Sequence, residues 1–323
     1  MLGRKGNALT WGERKGPKNT YPSSSVDDVV VLGNGTVSTQ AIRLLLENDV
    51  PLHYVSGSGK YLGSLTTAAT KKGKMLRKKQ EEAAGSQEKC IPLAKGVVVG
   101  KILNQRKNLI RATYRNRKTK AITESISRLE FNAKLAGSET DIDALRGIEG
   151  VSAAAYFYSF EDLLAPGWTF RGRNRRPPKD PVNAMLSFTY TLLLNTVVSA
   201  VLANQLDPCI GFLHGEYRGR PSVALDLMEE FRPSISDRVV IALINQGMIS
   251  QNDFESDGDG GIKMKPGARR VLVEAYSARL STSCGGEDQR KPLTYRERIY
   301  SQARAMSEAI WLGHDYLPFV VKK

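Results

Sequence analysis

Pro181-Val-Asn-Ala-Met-Leu-Ser-Phe-Thr-Tyr-Thr-Leu-Leu-Leu-Asn-Thr-Val-Val-Ser-Ala-Val-Leu-Ala-Asn-Gln-Leu206 is the one long uncharged stretch of this 323-residue chain. It is apolar nearly all round, so a helix built from it has no face to offer water and belongs at the centre of a helical domain. Asn183, Ser187, Thr189, Asn195, Ser199, Asn204 and Gln205 are too many polar groups for a membrane span. The flanking sequence supplies the neighbours such a helix needs. Val98, Ile102, Leu109 and Ile110 fall at helical spacing, as do Ile142, Leu145, Ile148, Ser152 and Tyr156 after the cap-like Ser138-Glu-Thr-Asp141. Asp237 to Gln246, stopped by Gly247, reads as a short helix. Ile299, Ala303, Met306 and Ile310 mark a last one, opened by the capping box Thr294-x-x-Glu297.

Toward the N-terminus the period changes. Val26-Asp-Asp-Val-Val-Val-Leu32 is a β-branched run closed by Gly33-Asn34-Gly35, and Pro51-Leu-His-Tyr-Val55 is a second strand closed by Ser56-Gly-Ser-Gly59. A short helical stretch, Ala41 to Glu47, lies between them, and Tyr61-Leu62 begins another strand. Residues 1–25 show little alternation and carry no assigned strand. The fold class is therefore α+β: a small N-terminal β-rich domain over 1–67, a charged linker helix over 68–89, and a larger, mostly α-helical domain over 90–323. No internal repeat is visible.

Lys and Arg number 47 against 33 Asp and Glu, a formal charge of +14. That excess favours a polyanion, because each phosphate neutralised by Lys or Arg releases condensed counterions. With nothing resembling an anchor, nucleic acid is preferred to a membrane surface. Cys90, Cys209 and Cys284 are odd in number, far apart and contain no C-x-x-C pair, so neither a zinc knuckle nor a disulfide framework is indicated. With no apolar signal segment among the first residues, a reducing cytoplasm is expected.

Two motifs fail on inspection. Ser58-Gly59-Lys60 lacks the remaining residues of a phosphate-binding loop, having Tyr54 and Tyr61 at those positions. Asp253-x-Glu255-x-Asp257-Gly258 would need Glu where Met264 stands to hold calcium. His53 reads as a strand residue and His314 as a turn residue.

Three other positions point to chemistry. Glu149, in Arg146-Gly-Ile-Glu-Gly150, shares a helical face with Leu145, Ser152, Ala153 and Tyr156, so its carboxylate points inward and needs a compensating cation, either an ion or a core arginine. Gly147 and Gly150 each cost a helix roughly 1 kcal/mol relative to Ala, which suggests that something approaches the backbone closely. His214 follows an apolar helix end in Gly211-Phe-Leu-His and is either a hydrogen-bonded structural histidine or a ligand. Asp226 and Glu229 are spaced to share a helix face among Leu225, Leu227 and Met228. Two inward carboxylates and one histidine suit Mn²⁺ or Mg²⁺. The basic loop Arg171-Gly-Arg-Asn-Arg-Arg-Pro-Pro-Lys179 contributes Arg171, Arg173, Arg175, Arg176 and Lys179 as candidate phosphate contacts, with Trp168, Phe170 and Tyr190 as candidate stacking surfaces.

Taken in order, Leu32-Gly-Asn-Gly-Thr-Val-Ser38, Arg146-Gly-Ile-Glu-Gly150 with Tyr156-Phe157, Asp180-Pro-Val-Asn-Ala-Met-Leu-Ser-Phe-Thr-Tyr190, Gly211-Phe-Leu-His214, Leu225-Asp-Leu-Met-Glu-Glu-Phe-Arg232 and Tyr316-Leu-Pro-Phe319 resemble the CRISPR-associated integrase family of spacer acquisition. The resemblance implies a metal triad of Glu149, His214 and Glu229, with Asp226 and Tyr156 beside the ion. It further implies a homodimer formed through the N-terminal domain, a small ferredoxin-like CRISPR-associated partner protein, and double-stranded DNA as both spacer donor and repeat target. The expected reaction is attack of a 3′-hydroxyl on a phosphodiester, with Mg²⁺ or Mn²⁺ as cofactor. A metal-dependent nuclease on branched DNA or RNA, and a non-catalytic nucleic-acid scaffold, are the rival readings.

Overall fold

The computed structural model describes residues 1–12, 16–26, 29–32, 34–55, 61–65, 71–114, 119–174, 177–215, 220–258, 260–285 and 292–322. Its N-terminal part holds two small sheets. β1 (Leu2–Lys5), β2 (Ala8–Gly12) and β3 (Lys18–Pro22) form an antiparallel meander in which Leu2 faces Trp11 and Leu9 faces Tyr21. These strands lie in the stretch where the sequence showed no alternation. β3 is exposed throughout, so only Leu2 and Leu9 go into the apolar cluster and no two-residue period can build up. Gly6, at φ 59°, makes the tight turn before Asn7; a Gly-Asn pair is a hairpin signal that could have located these strands.

β4 (Val29–Leu32) runs parallel to β5 (Leu52–Val55), and α1 (Thr39–Glu47) is the crossover between them. β6 (Tyr61–Leu65) is antiparallel to β5. Ala41, Leu44 and Leu45 of α1 pack with Val31, Val50 and Leu52. Strand alternation sends His53 to the opposite side from Leu52. Its imidazole is fully buried with neither ring nitrogen hydrogen-bonded, and burial pushes it down to about 4. The phosphate-loop mimic dismissed at 58–60 lies outside the described residues.

The rest is helical. α2 (Lys71–Ala84), α3 (Gln87–Thr113), α4 (Lys120–Ser138) and α5 (Ile142–Tyr158) come first, followed by α6 (Pro181–Ala203). The helix expected as a linker is part of the core. Leu76 and Ala83 of α2 are buried in the main apolar cluster, and the buried Gln80 amide bonds the carbonyls of Asp207 and Ile210 at 2.9 and 2.8 Å. Its run of lysines hid this, because the inward positions are few and far apart.

α6 is central, as its composition requires. Val182, Met185, Leu186, Leu193, Val197, Ala200 and Val201 are buried around its circumference, and Asp180 caps it by accepting from the Asn183 amide at 2.8 Å. By length and composition it could cross a membrane, but here it is packed against α7 (Ser222–Glu229), the N-terminal sheet and later helices. The chain then passes through a π turn, Pro233–Asp237, where the Asp237 amide reaches back five residues to the Arg232 carbonyl at 3.0 Å, and continues as α8 (Arg238–Asn245).

β7 (Phe254–Ser256) and β8 (Ile262–Met264) form a hairpin where the calcium-loop mimic was dismissed. α9 (Pro266–Ser281), the short pair β9 (Ser283–Cys284) and β10 (Leu293–Thr294), and α10 (Tyr295–Leu312) complete the order, the last with the expected Thr294/Glu297 capping box. Beyond α10, residues 314–322 lie as a strap along α3. Gly96 and Gly100 permit this: a Cβ at Gly96 would sit 2.3 Å from the Tyr316 carbonyl oxygen, and one at Gly100 2.5 Å from Pro318. The strap is held by the buried Glu230, which accepts from the Tyr316 hydroxyl and the Phe319 amide, each at 2.6 Å. Burial nevertheless pushes the Glu230 carboxyl up to about 8, against those bonds. At Gly147 and Gly150, no described atom beyond the adjoining residues and their own helix backbone comes within 4 Å of an added Cβ, so the helix surface beside Glu149 is open there.

Candidate metal-binding active site

Four segments distant in sequence supply one cluster. α5 offers Glu149, 26% exposed at its side chain; α7 offers Glu229, 3% exposed, with Asp226 fully buried one turn earlier. The 211–214 loop offers His214. α3 offers Lys101, only 6% exposed, whose ammonium forms ion pairs with Glu149 Oε1 and, at 2.6 Å, with Glu229 Oε2. Arg232, one turn after Glu229, pairs with its other oxygen at 2.7 Å. Burial pushes the Glu229 carboxyl up, but Arg232, Lys101 and His214 outweigh it and hold the group at about 2.

The His214 loop is fixed from below. Phe212 and Leu213 are buried, and Gly211 allows a turn so tight that a Cβ would meet the His214 carbonyl oxygen and Ser222 Cβ at 2.7 Å. Asp226 organises the rest. Its Oδ2 accepts from the Phe212 and Leu213 amides at 2.6 and 3.0 Å; its Oδ1 accepts from the His214 amide at 2.9 Å and meets His214 Nδ1 at 2.6 Å. A carboxylate there keeps the ring proton on Nδ1 and leaves Nε2 as the nitrogen open to a cation. Both Asp226 oxygens are committed, so its role is to position His214. Arg146 ties the loop to the Glu149 helix through a 2.7 Å bond from Nε to the Leu213 carbonyl.

The donor set fits a divalent cation on two observations. A cation, the Lys101 ammonium, already stands between the two carboxylates. Glu229 Oε2 is buried and so requires a cation, a need the same ammonium meets at 2.6 Å. Among the described residues no three His, Cys, Asp or Glu side chains converge closely enough to form a ready cage. The carboxylates close on Lys101 instead, so an ion bound here would be held by Glu149, Glu229 and His214 Nε2.

The family model for CRISPR associated protein Cas1 matches residues 1–278. The chain belongs to the Cas1 family. A Cas1 endonuclease of Thermus thermophilus is 35% identical over 99% of this chain and 94% of its own length. A Cas1 endonuclease of Chlorobaculum tepidum is 35% identical over 86% of this chain and 82% of its own. Among solved structures, a partial Cas6-RT-Cas1–Cas2 complex superposes with a TM-score of 0.82 at 25% identity, over 100% of this chain and 96% of that one. A Cas1 protein from Thermotoga maritima gives 0.76 at 25% identity over 97% and 93% of the two chains. A casposase bound to integration product shares the fold, with a TM-score of 0.79 at 21% identity over 98% and 95%. The β-rich N-terminal part followed by a mostly helical one is thus the Cas1 architecture.

In this Cas1 chain the remaining candidates sort by geometry. Tyr156 is fully buried, but its hydroxyl accepts from Asn108 at 2.7 Å and donates to Asp237 at 3.0 Å, with no bond to Glu149, His214 or Glu229. Tyr190 donates to the other Asp237 oxygen at 2.7 Å, and burial pushes that carboxyl up to about 6 against both bonds. The Arg173 guanidinium turns inward to Asn183, Ser187 and the Asn174 carbonyl and lies 5.0 Å from the Tyr190 ring centre, so it builds the loop. Arg175 and Arg176 lie outside the described residues. Arg171 and Lys179 are exposed. Of the candidate stacking rings, Phe170 is buried against Phe157 and Phe160, Trp168 meets Phe254 edge-on at 6.2 Å, and Tyr190 also carries Arg232 at 4.9 Å. Lys101 and Arg232 were not singled out from sequence. For Lys101 the only signal is a charged residue within the otherwise small and apolar run Val97-Val-Val-Gly-Lys101-Ile102.

Proposed function

We propose that this Cas1 protein is a divalent-metal-dependent DNA integrase and endonuclease that joins spacer DNA to a repeat array. The observation that carries the reading is the convergence of Glu149 and Glu229, from separate helices, on one buried cation position beside an imidazole fixed by Asp226. In the reaction, the oxygen of a donor 3′-hydroxyl bonds to the phosphorus of a target phosphodiester, and the target's own P–O3′ bond breaks. A Mg²⁺ or Mn²⁺ ion held by Glu149, His214 and Glu229 would polarise the phosphoryl oxygen and stabilise the charge that develops. Arg232 fixes one oxygen of Glu229 and turns the other toward the site. Asp226 fixes the His214 tautomer. Arg171 and Lys179, on the exposed loop that leads into α6, are placed to take backbone phosphates. Water in place of the hydroxyl gives cleavage from the same residues.

The partners we assign are double-stranded DNA as donor and target, a second copy of the chain joined through the N-terminal β-rich part, and a small ferredoxin-like CRISPR-associated protein. The last assignment draws on the Cas1–Cas2 assembly to which the chain is similar. The non-catalytic scaffold reading also has one observation in its favour, since Lys101 and Arg232 already neutralise Glu149 and Glu229. Incubating the protein and its partner with labelled 3′-hydroxyl DNA and a repeat-bearing plasmid separates the readings. Metal-dependent joined product supports the integrase; cleavage without joining supports the nuclease; no metal-dependent product leaves the scaffold.

A further inference from the structure

Lys101 occupies a place that the metal-site reading assigns to something else. Its backbone belongs to the part of α3 clamped by the strap, since the neighbouring Gly100 lies against Pro318 and Asn104 bonds the Glu230 and Phe319 carbonyls, each at 2.8 Å. The main chain there is held at both Gly100 and Asn104. The side chain has freedom to shift, because four methylenes link the anchored Cα to the ammonium. At its far end that ammonium is shared by Glu149 and Glu229. Two carboxylates brought together from α5 and α7 with nothing between them would repel in a poorly solvated site. Among the described residues Arg232 pairs with one oxygen of Glu229, and Lys101 is the cation paired with both carboxylates.

We propose that Lys101 is the site's resident counter-cation: its ammonium keeps Glu149 and Glu229 assembled at the position a divalent ion takes, and the ion binds by exchange with it. This rests on the metal-site reading above. The arrangement has a defined consequence. Metal affinity is set partly by competition with an internal group, and the donors stay assembled when no ion is bound. Lys101 is thus a positioning residue with opposite effects on the two states of the site. Removing it weakens the chelated protein and strengthens its hold on metal.

The test is Mn²⁺ titration by calorimetry, with thermal melts, on chelator-stripped full-length protein in four forms: wild type, Lys101→Met, Lys101→Gln and Glu149→Gln. Lys101→Met and Lys101→Gln should bind Mn²⁺ about tenfold or more tightly than wild type, because one positive charge leaves a low-dielectric site. They should also melt lower in chelator and gain more from Mn²⁺. Equal or weaker Mn²⁺ binding by both Lys101 variants overturns the proposal while leaving the metal site standing. Absence of Mn²⁺ binding by wild type, or equal binding by Glu149→Gln, removes the metal-site reading and the proposal with it. Should the Lys101 variants fail to fold, amine acylation of the wild type read by mass spectrometry decides. Lys101 should react several-fold faster in Mg²⁺ than in chelator, and an unchanged rate overturns the exchange.

Discussion

Replacing Asp226 by Asn preserves the side chain's volume and converts one acceptor oxygen into a donor. The Asp226 carboxylate faces four donors: the Phe212, Leu213 and His214 amides and the His214 ring, at 2.6 to 3.0 Å. An Asn oxygen turned toward Phe212 and Leu213 keeps two of those bonds, and its NH₂ then confronts the His214 N–H and the ring. One buried backbone donor is stranded, which costs about 1–3 kcal/mol. For a chain of this length that lowers Tm by roughly 1.5–4.5 °C. The ring responds differently, because Nδ1 can become the acceptor by moving its proton to Nε2. That tautomer closes Nε2 to a cation. Loss of the supporting carboxylate should weaken Mn²⁺ binding about 10–100-fold, and a wrong-tautomer histidine can lower turnover by as much as about 10⁴-fold. Circular dichroism melts in chelator, Mn²⁺ titration and strand-transfer rates on one preparation read the three effects. A variant that melts lower yet transfers strands at the wild-type rate would falsify the positioning role of Asp226, and an unchanged melt would refute the hydrogen-bond count.

Glu229→Ala should abolish strand transfer and also destabilise by about 3–5 kcal/mol, because it takes from the buried Arg232 its carboxylate and leaves Lys101 with Glu149 alone; His214→Ala should abolish transfer with little change in melting. Equal activity losses with equal melting shifts would mean that both act through stability. Arg171→Ala with Lys179→Ala should make the salt dependence of DNA affinity shallower without changing the melt, whereas Arg173→Ala should lower the melt by about 1–3 kcal/mol through lost bonds to Asn183 and Ser187. The reverse pattern in filter binding and calorimetry would exchange their roles. Two buried groups bound the stable pH range. The stability from Glu230 is full below 4.5 and lost as pH rises through about 8, while that from His53 is full above 6.5 and lost as pH falls through about 4. Melts across about pH 4 to 9 should peak in between, with Glu230→Gln flattening the alkaline limb; an alkaline limb unchanged in that variant counts against the assignment.

The central helix, the capping box of α10 and the crossover unit from β4 to β5 were legible because each depends on local pattern: an all-apolar run, a cap spacing, and β-branched segments closed by glycine turns. Glu149, His214 and Glu229 stood out because a charged or imidazole group among apolar neighbours is locally anomalous. What local pattern does not carry is pairing across the chain. Lys101 sits 48 residues from Glu149, and only the packing of α3 on α5 and α7 makes its ammonium part of the cluster. Arg173 shows the same limit. In sequence it is one of a row of charges, and its inward turn depends on Asn183 and Tyr190, which belong to the next helix. The glycines beside Glu149 suggested a close approach to the backbone, and within the described chain they face open space.

The π turn between α7 and α8 has a genetic consequence. One residue more than a regular α turn stands between Arg232 and Asp237, and that extra residue sets the rotation of Asp237 relative to Arg232 and to Glu229 at the end of α7. An in-frame loss of a single codon anywhere in Pro233–Asp237 would restore regular pitch and swing α8 around its axis, carrying Asp237 away from Tyr156 and Tyr190. Most substitutions in this segment change one side chain; a deletion changes the phase of everything downstream of it. Within a lineage, therefore, this stretch can exchange letters far more readily than it can change length, and a library of single-codon deletions through residues 222–245 should show its sharpest loss of function there.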